Sequence, residues 1–250
     1  MNKKYYFFFS FFLIFFIFLT PTVLANFDDF DNDGIKNIDE EEIYFTDPNN
    51  GDTDGDGYSD WQELNSGFSP HNPLKVSLKD NDQDNDGLSD YFELRFNTNL
   101  LKPDTDGDGY LDGEEIDNAY NPLSDSLLRL EKRIEIDLKQ QELSYFLKGV
   151  KLNSFLVSSG KNNSTPRGTH YVLNKIEKAW SSSYGLWMPY WMGLGNGRYG
   201  IHELPYWPNG YREGEDHLGT PVSHGCIRLG IGSAKTVYDW VEVGTKVIIF

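Results

Sequence analysis

With 39 acidic and 22 basic side chains among 250 residues, a formal net charge of -17, the chain is poorly matched to nucleic acid or to an anionic membrane surface. The charge is uneven: residues 26–125 hold 28 acids against 5 bases (net -23), whereas residues 126–250 hold 11 against 15 (net +4). The length accommodates one catalytic domain and a smaller module, and the charge split places their boundary near residue 125.

Residues 1–25 carry Lys3 and Lys4, an apolar run over residues 5–19, and then Val23, Leu24 and Ala25. This is the layout of a secretory signal peptide cut after Ala25. The run is shorter than the ~20 residues a spanning helix needs, and an uncleaved membrane anchor is the alternative. Both place the remainder outside the cytoplasm, in the periplasm, in the cell wall or secreted.

Residues 26–125 repeat one template four times: alternating aspartates, glycine at position 6 and glutamate at position 12. The candidate metal ligands are Asp29, Asp31, Asp33, Asn37 and Glu40 in the first loop, and Asp52, Asp54, Asp56, Asp60 and Glu63 in the second. The third has Asp82, Asp84, Asp86, Asp90 and Glu93, and the fourth Asp104, Asp106, Asp108, Asp112 and Glu115. The starts lie 23, 30 and 22 residues apart, and each pair ends in Asn-Pro-Leu (Asn72-Pro73-Leu74 and Asn121-Pro122-Leu123), so the module reads as two tandem pairs. Calcium suits such loops, because it takes six to eight oxygens in flexible geometry and the sixth-position glycine permits the sharp turn. Without a divalent cation, carboxylates this crowded repel one another.

These loops resemble the EF-hand loop, and more closely the thrombospondin type 3 and dockerin-like bacterial calcium repeats. They depart from paired EF-hands at position 8, where Lys36, Ser59, Ser89 and Leu111 replace the usual apolar residue; the apolar residue sits one earlier, at Ile35, Tyr58, Leu88 and Tyr110. About ten residues separate the loops of a pair, enough for one short helix each, such as residues 61–66. The expectation is a compact, calcium-stapled module with short helices, in which neighbouring loops can share ions and whose melting is independent of the rest of the chain.

From Arg133 the pattern has period two: Ile134, Ile136 and Leu138 alternate with Glu135 and Asp137. Strands are expected over residues 134–138, 143–147 and 152–159 as an antiparallel meander, then over 168–175, 187–194, 199–202 and 245–250. Gly193, Gly195 and Gly197 mark a hairpin tip, and one helix follows Ser233. The aromatic run of Trp187, Met188, Pro189, Tyr190 and Trp191 fits either the lining of an acceptor cleft or a strand facing the core alternately.

Cys226 is the only cysteine, so it has no disulfide partner within the chain. His224 and Gly225 precede it, poor neighbours for a buried structural thiol, and point to chemistry instead. A thiol of ordinary acidity needs a base at neutral pH. His224 is too close in a tight turn to aim its ring at the sulfur, whereas His202 ends a strand that can lie beside Cys226. Backbone N–H groups near Gly225 and Cys226 would form an oxyanion hole.

The stretches Tyr199-Gly200-Ile201-His202 and Ser223-His224-Gly225-Cys226-Ile227-Arg228, with Thr165-Pro166-Arg167-Gly168-Thr169 before them, resemble the L,D-transpeptidase catalytic domain (the YkuD family) from about Arg133 to the C-terminus. The resemblance implies a mostly β catalytic domain, a β-sandwich with one or two helices, over residues 126–250. It also implies a cell-wall enzyme of peptidoglycan biosynthesis and cell shape that acts on stem peptides. Its cysteine attacks the peptide bond after the third, diamino residue, releases D-alanine and passes the acyl group to an amine, with no cofactor for catalysis. On this carry-over Cys226 is the nucleophile and His202 the base; His224 and Gly225 shape the oxyanion region, and Arg228 orders the loop. Glu203 follows the base where the family often has Gly or Ser, and its backbone carbonyl is expected to hold the histidine. The 20 residues between His202 and Ser223 exceed the family's usual gap, and residues 206–214 read as an inserted loop over the site.

The acyl acceptor stays open: a second stem peptide, a cell-surface protein or water, the last giving carboxypeptidase activity. Two other classes also stay open. One is a zinc hydrolase using His202, His217, His224 and Cys226; the other is a calcium-dependent surface adhesion or scaffold protein with an inactive enzyme domain.

Overall fold

The computed structural model describes residues 28–195 and 197–250. The expected signal peptide or anchor lies outside the described residues. Among these, no helix is long and apolar enough to cross a membrane.

The second half forms eight strands: β1 (Lys132–Asp137), β2 (Glu142–Leu147), β3 (Val150–Ser158), β4 (Gly168–Ser181), β5 (Leu186–Leu194), β6 (Tyr199–Glu203), β7 (Ile227–Leu229) and β8 (Lys246–Ile249). Strands β1 to β3 are the expected antiparallel meander. The sheet then closes on itself in the order β1-β2-β3-β7-β6-β5-β4-β8, a barrel rather than the expected two-layer sandwich. Two features close it. The C-terminal β8 pairs in parallel with β1, and the 14-residue β4 is long enough to pair with β8 through residues 168–171 and with β5 beyond Val172. Alternation places Ile134, Ile136, Leu143, Val172, Met192, Ile201, Ile227, Leu229, Val247 and Ile249 in one core. The helix after the thiol, Ser233–Trp240, packs into that core through Ala234 and Val237, with Gly232 rather than Ser233 at its N-cap.

The acidic half contains four short helical segments, α1 (Asn37–Asp39, continuing as a wider turn over Glu40–Tyr44), α2 (Asp60–Ser66), α3 (Asp90–Phe96) and α4 (Asp112–Asp117); the barrel helix is α5. Each begins at position 9 of its loop, and α2 carries a capping box from Ser59 and Gln62. The duplication inferred from spacing recurs in backbone pairing, as the isolated bridges Phe68↔Ser77 and Tyr120↔Arg129 lie 52 residues apart. Within each pair, the position-5 aspartate of the first loop accepts from the second helix: Trp61 N–H donates to Asp33 Oδ2 (3.1 Å) and Gly113 N–H to Asp86 Oδ2 (3.0 Å).

The two halves share a core. Leu88, Phe96, Ile116 and Ala119 of the second pair close over Leu147 at the end of β2, fully buried, with Val150 and Leu152 of β3 alongside. Leu130 N–H donates to Ala119 O (2.8 Å) across the join. This apolar seam removes the basis for independent melting, because unfolding the repeats exposes barrel side chains to water.

Candidate functional site

Cys226 sits at the end of a turn that enters β7. Gly225 has φ 138°, a conformation L side chains rarely adopt. Ser223 Oγ organises the turn, accepting from Gly225 N–H (3.0 Å) and donating to Cys226 O (2.6 Å). Thr165 braces it from the loop before β4: its hydroxyl donates to Gly225 O (3.0 Å) and accepts from Gly160 N–H (2.7 Å). The expected oxyanion pair is therefore altered, since the Gly225 N–H is occupied by Ser223. The N–H of Cys226 has no acceptor among the described residues.

Strands β6 and β7 are parallel, with Ile201 opposite Ile227 and His202 opposite Arg228. A strand's side chains alternate between faces, so His202, Cys226 and Arg228 share one, with Cys226 alongside Gly200. Arg228, not Cys226, lies directly across from His202. His202 is buried, and its Nδ1–H donates to the Glu203 carbonyl (2.6 Å). A carbonyl only accepts, so Nδ1 carries the proton and Nε2 keeps a lone pair. Trp191 of β5 stacks on the imidazole (centroids 5.9 Å apart, 26° between planes) and is itself held by Asn174 (3.1 Å).

Burial lowers the His202 pKa from 6.5 to about 4; the Glu203 hydrogen bond opposes this and the Arg228 charge adds to it. Burial likewise raises the Cys226 pKa, partly offset by a backbone hydrogen bond from Gly200 and by Arg228. Both shifts favour the uncharged pair, so the site rests as thiol and neutral imidazole rather than as a pre-formed ion pair.

Both residues line one cavity of about 400 Å³, with Met188, Trp191, Tyr199, Trp207, Glu213 and Arg228 in its walls. The aromatic run is thus divided: Met188 and Trp191 face the cavity, while Trp187 packs on Trp180 (4.8 Å). His224 is exposed at the rim, stacked on Tyr184 (4.7 Å, 21°), and contributes backbone to the turn rather than a reacting nitrogen. His217 is tied through Nδ1 to Glu213 Oε1 (2.7 Å). The zinc ligand set does not assemble: among the described residues, groups of three or more potential metal ligands occur in the acidic loops alone.

Two ion pairs that the sequence reading did not foresee lie at and beside the site, and only the first has both members in the cavity wall. Arg228 Nη1 meets Glu213 Oε1 (2.5 Å), and Arg212 Nη1 meets Glu203 Oε1 (2.5 Å). The only prior hint was that Arg212 and Glu213 stand in the residues that lengthen the gap after His202.

In the acidic loops, the first three aspartates of each cluster bring oxygens within 4.8 Å of one another. The position-3 oxygens Asp31 Oδ2, Asp54 Oδ2, Asp84 Oδ2 and Asp106 Oδ2 are buried without a hydrogen-bond partner. So are both oxygens of Glu63, Glu93 and Glu115 and Oε2 of Glu40 at position 12. Buried carboxylate oxygens left unpaired and convergent match what a hard, oxygen-seeking cation requires. Burial, reinforced by neighbouring aspartates, raises the pKa of Glu93 to about 9 and those of Glu40, Glu63 and Glu115 to about 7. Position 9 makes a further contact within each loop. Asn37, Asp60, Asp90 and Asp112 each accept the N–H of position 2 in their own loop, from Phe30, Thr53, Gln83 and Thr105 at 2.9–3.1 Å. This contact ties the two ends of each loop together.

Residues 131–249 match the family model of the L,D-transpeptidase catalytic domain (YkuD), and residues 52–67, 82–103 and 104–118 match the bacterial TSP3 repeat. The first loop lies outside the matched ranges. The Bacillus subtilis (strain 168) protein YciB, itself provisionally named an L,D-transpeptidase, is 34% identical over 125 residues, 46% of this chain. The match spans 64% of that relative's length. Similar solved structures include an L,D-transpeptidase from Mycobacterium smegmatis (25% identity, TM-score 0.43, 49% of this chain and 60% of that one). Another is that from Stackebrandtia nassauensis (27% identity, TM-score 0.41, 48% and 55%).

Proposed function

We propose that this chain, whose residues 131–249 match the L,D-transpeptidase catalytic domain, is an extracytoplasmic cysteine acyltransferase of peptidoglycan stem peptides. The observation that carries the reading is that a lone thiol and a histidine whose Nδ1–H is committed to the Glu203 carbonyl line one cavity. Nε2 takes the thiol proton as Sγ attacks the donor carbonyl, and the resulting oxyanion lies toward the Cys226 N–H. Collapse breaks the peptide bond; His202 returns the proton to the departing D-alanine amine and leaves a thioester on Cys226. An acceptor amine then attacks the thioester and gives its proton to His202; the C–S bond breaks, and the departing Cys226 sulfur takes that proton back, restoring thiol and neutral imidazole. A second stem or a surface protein yields a cross-link or an anchored product, and water yields hydrolysis.

Calcium is the proposed ion of the four loops. Positions 1, 3, 5 and 12 would hold it, and it would supply the counter-charge their buried oxygens lack, a structural role.

The test is D-alanine release from a stem tetrapeptide. Wild type is expected to release it and Cys226→Ala to release none; equal release by both would reject the assignment. No release by either would favour the scaffold reading with an inactive domain.

A further inference from the structure

Residues 205–217 form a flap rather than a loose insertion. Tyr206 bridges to Trp187 on the neighbouring strand and to Arg212 across the flap itself. Glu213 N–H donates to Pro205 O (3.0 Å) and Trp207 N–H to Tyr211 O (2.8 Å), closing a narrow hairpin. Pro205, Trp207, Glu213 and His217 from this segment face the cavity that holds Cys226.

The flap is fastened by adjacent residues of opposite charge. Arg212 reaches back to Glu203 at the end of β6, and Glu213 reaches across to Arg228 on β7. Glu203 opposes Leu229 and His202 opposes Arg228, and neighbouring rungs present opposite faces, so the flap grips the strands on both: Glu213 meets Arg228 at the cavity wall, and Arg212 meets Glu203 outside the cavity. Glu203, Glu213 and the Arg228 side chain are largely buried, so these pairs are shielded from water and salt in a way surface pairs are not. Glu203 is held at a second point by Gly232 N–H (3.3 Å), and its backbone carbonyl is the group that orients His202.

We propose that Arg212 and Glu213 are positioning residues: they latch the flap across the strands carrying His202, Cys226 and Arg228, forming one wall of the donor pocket and, through Glu203, steadying the histidine. The acylation part of this role rests on the acyltransferase reading; the latch itself does not.

The experiment compares Arg212→Met, Glu213→Gln and Arg212→Lys with wild type, using two readouts. The first needs no substrate: Cys226 is the only thiol, so its alkylation by small iodoacetamide and by a bulky maleimide reports access. Opening the flap should raise the maleimide rate by about tenfold in Arg212→Met and Glu213→Gln, well beyond any rise with iodoacetamide. Arg212→Lys, which keeps the charge at a single-contact pair, should return to within about twofold of wild type. The second readout is acylation by a stem tetrapeptide, expected to slow by about tenfold in the two opening variants as the pocket loses its wall. The Arg212 side chain is one-third exposed, so its Met replacement is accommodated and carries the test alone should Glu213→Gln misfold. Wild-type alkylation rates in Arg212→Met would overturn the latch, whatever the substrate. Raised maleimide rates in variants of an enzyme that no stem peptide acylates would uphold the latch and retire the acyltransferase reading.

Discussion

Removing the calcium proposed for the acidic loops should destabilise the barrel as well as the repeats, and the size of the effect follows from the seam between them. Leu147 on β2 is fully buried, and its repeat-side cover is Leu88, Phe96, Ile116 and Ala119. If the second pair of loops unfolds, Leu147 is uncovered together with parts of Val150 and Leu152. Exposing one fully buried leucine costs about 1.5–3 kcal/mol. For a domain the size of residues 131–249, that corresponds to a fall in Tm of about 5–10 °C. Differential scanning calorimetry with calcium and with chelator measures this, using alkylation of Cys226 on heating as a probe that reports the barrel. The expected result is a lower barrel transition in chelator. A repeat transition that moves while the barrel transition stays within about 1 °C would refute the coupling. Leu147→Ala should narrow the calcium-dependent shift in the barrel transition, because the side chain that transmits it is gone.

Other expectations come from the site and the loops. In the proposed mechanism His202 works as neutral imidazole, and its pKa is lowered to about 4, so acylation should persist to about pH 5 and fall as the pH drops through that pKa; an acidic limb near 6.5 in the rate profile would contradict the burial argument. Thr165→Val leaves Gly160 N–H and Gly225 O without their partner and should cost about 1–3 kcal/mol in chemical denaturation, with slower acylation; unchanged values in both would show the brace to be dispensable. In chelator, the raised carboxyl pKa values of the loops contribute stability that is present below about pH 4.5 and lost as the pH rises through about 7 and, for Glu93, about 9. Melting temperature should therefore decline with rising pH without calcium and much less with it; a flat profile in chelator would count against uncompensated carboxylates in the loops.

The thiol, its histidine and the acidic loops were legible in the chain because each is written locally. Cys226 follows a glycine in a short motif, His202 falls in a short strand, and the aspartates recur at fixed offsets. What escaped the reading depends on groups that meet across irregular backbone. Glu203 was visible as an oddity beside the base, but its partner Arg212 stands on a flap whose course no periodicity reveals. The same holds for Arg228 and Glu213. Barrel closure was missed because it rests on β8 pairing in parallel with β1, between the far ends of the domain, which no turn signal announces. Ser223 was counted only as part of the motif, yet its hydroxyl consumes the Gly225 N–H expected to hold the oxyanion. In the loops, the position-9 side chain accepts the position-2 N–H in all four repeats, a contact that the spacing of the aspartates does not announce.

The most direct test of the central claim is the mass of the acid-quenched enzyme after brief exposure to a stem tetrapeptide. The proposed chemistry predicts an increase equal to the tripeptide acyl group, carried on the fragment that contains Cys226, absent from Cys226→Ala and strongly reduced in His202→Ala. An adduct of the same mass on Cys226→Ala, or a wild-type enzyme that releases D-alanine without ever carrying the acyl group, would contradict it.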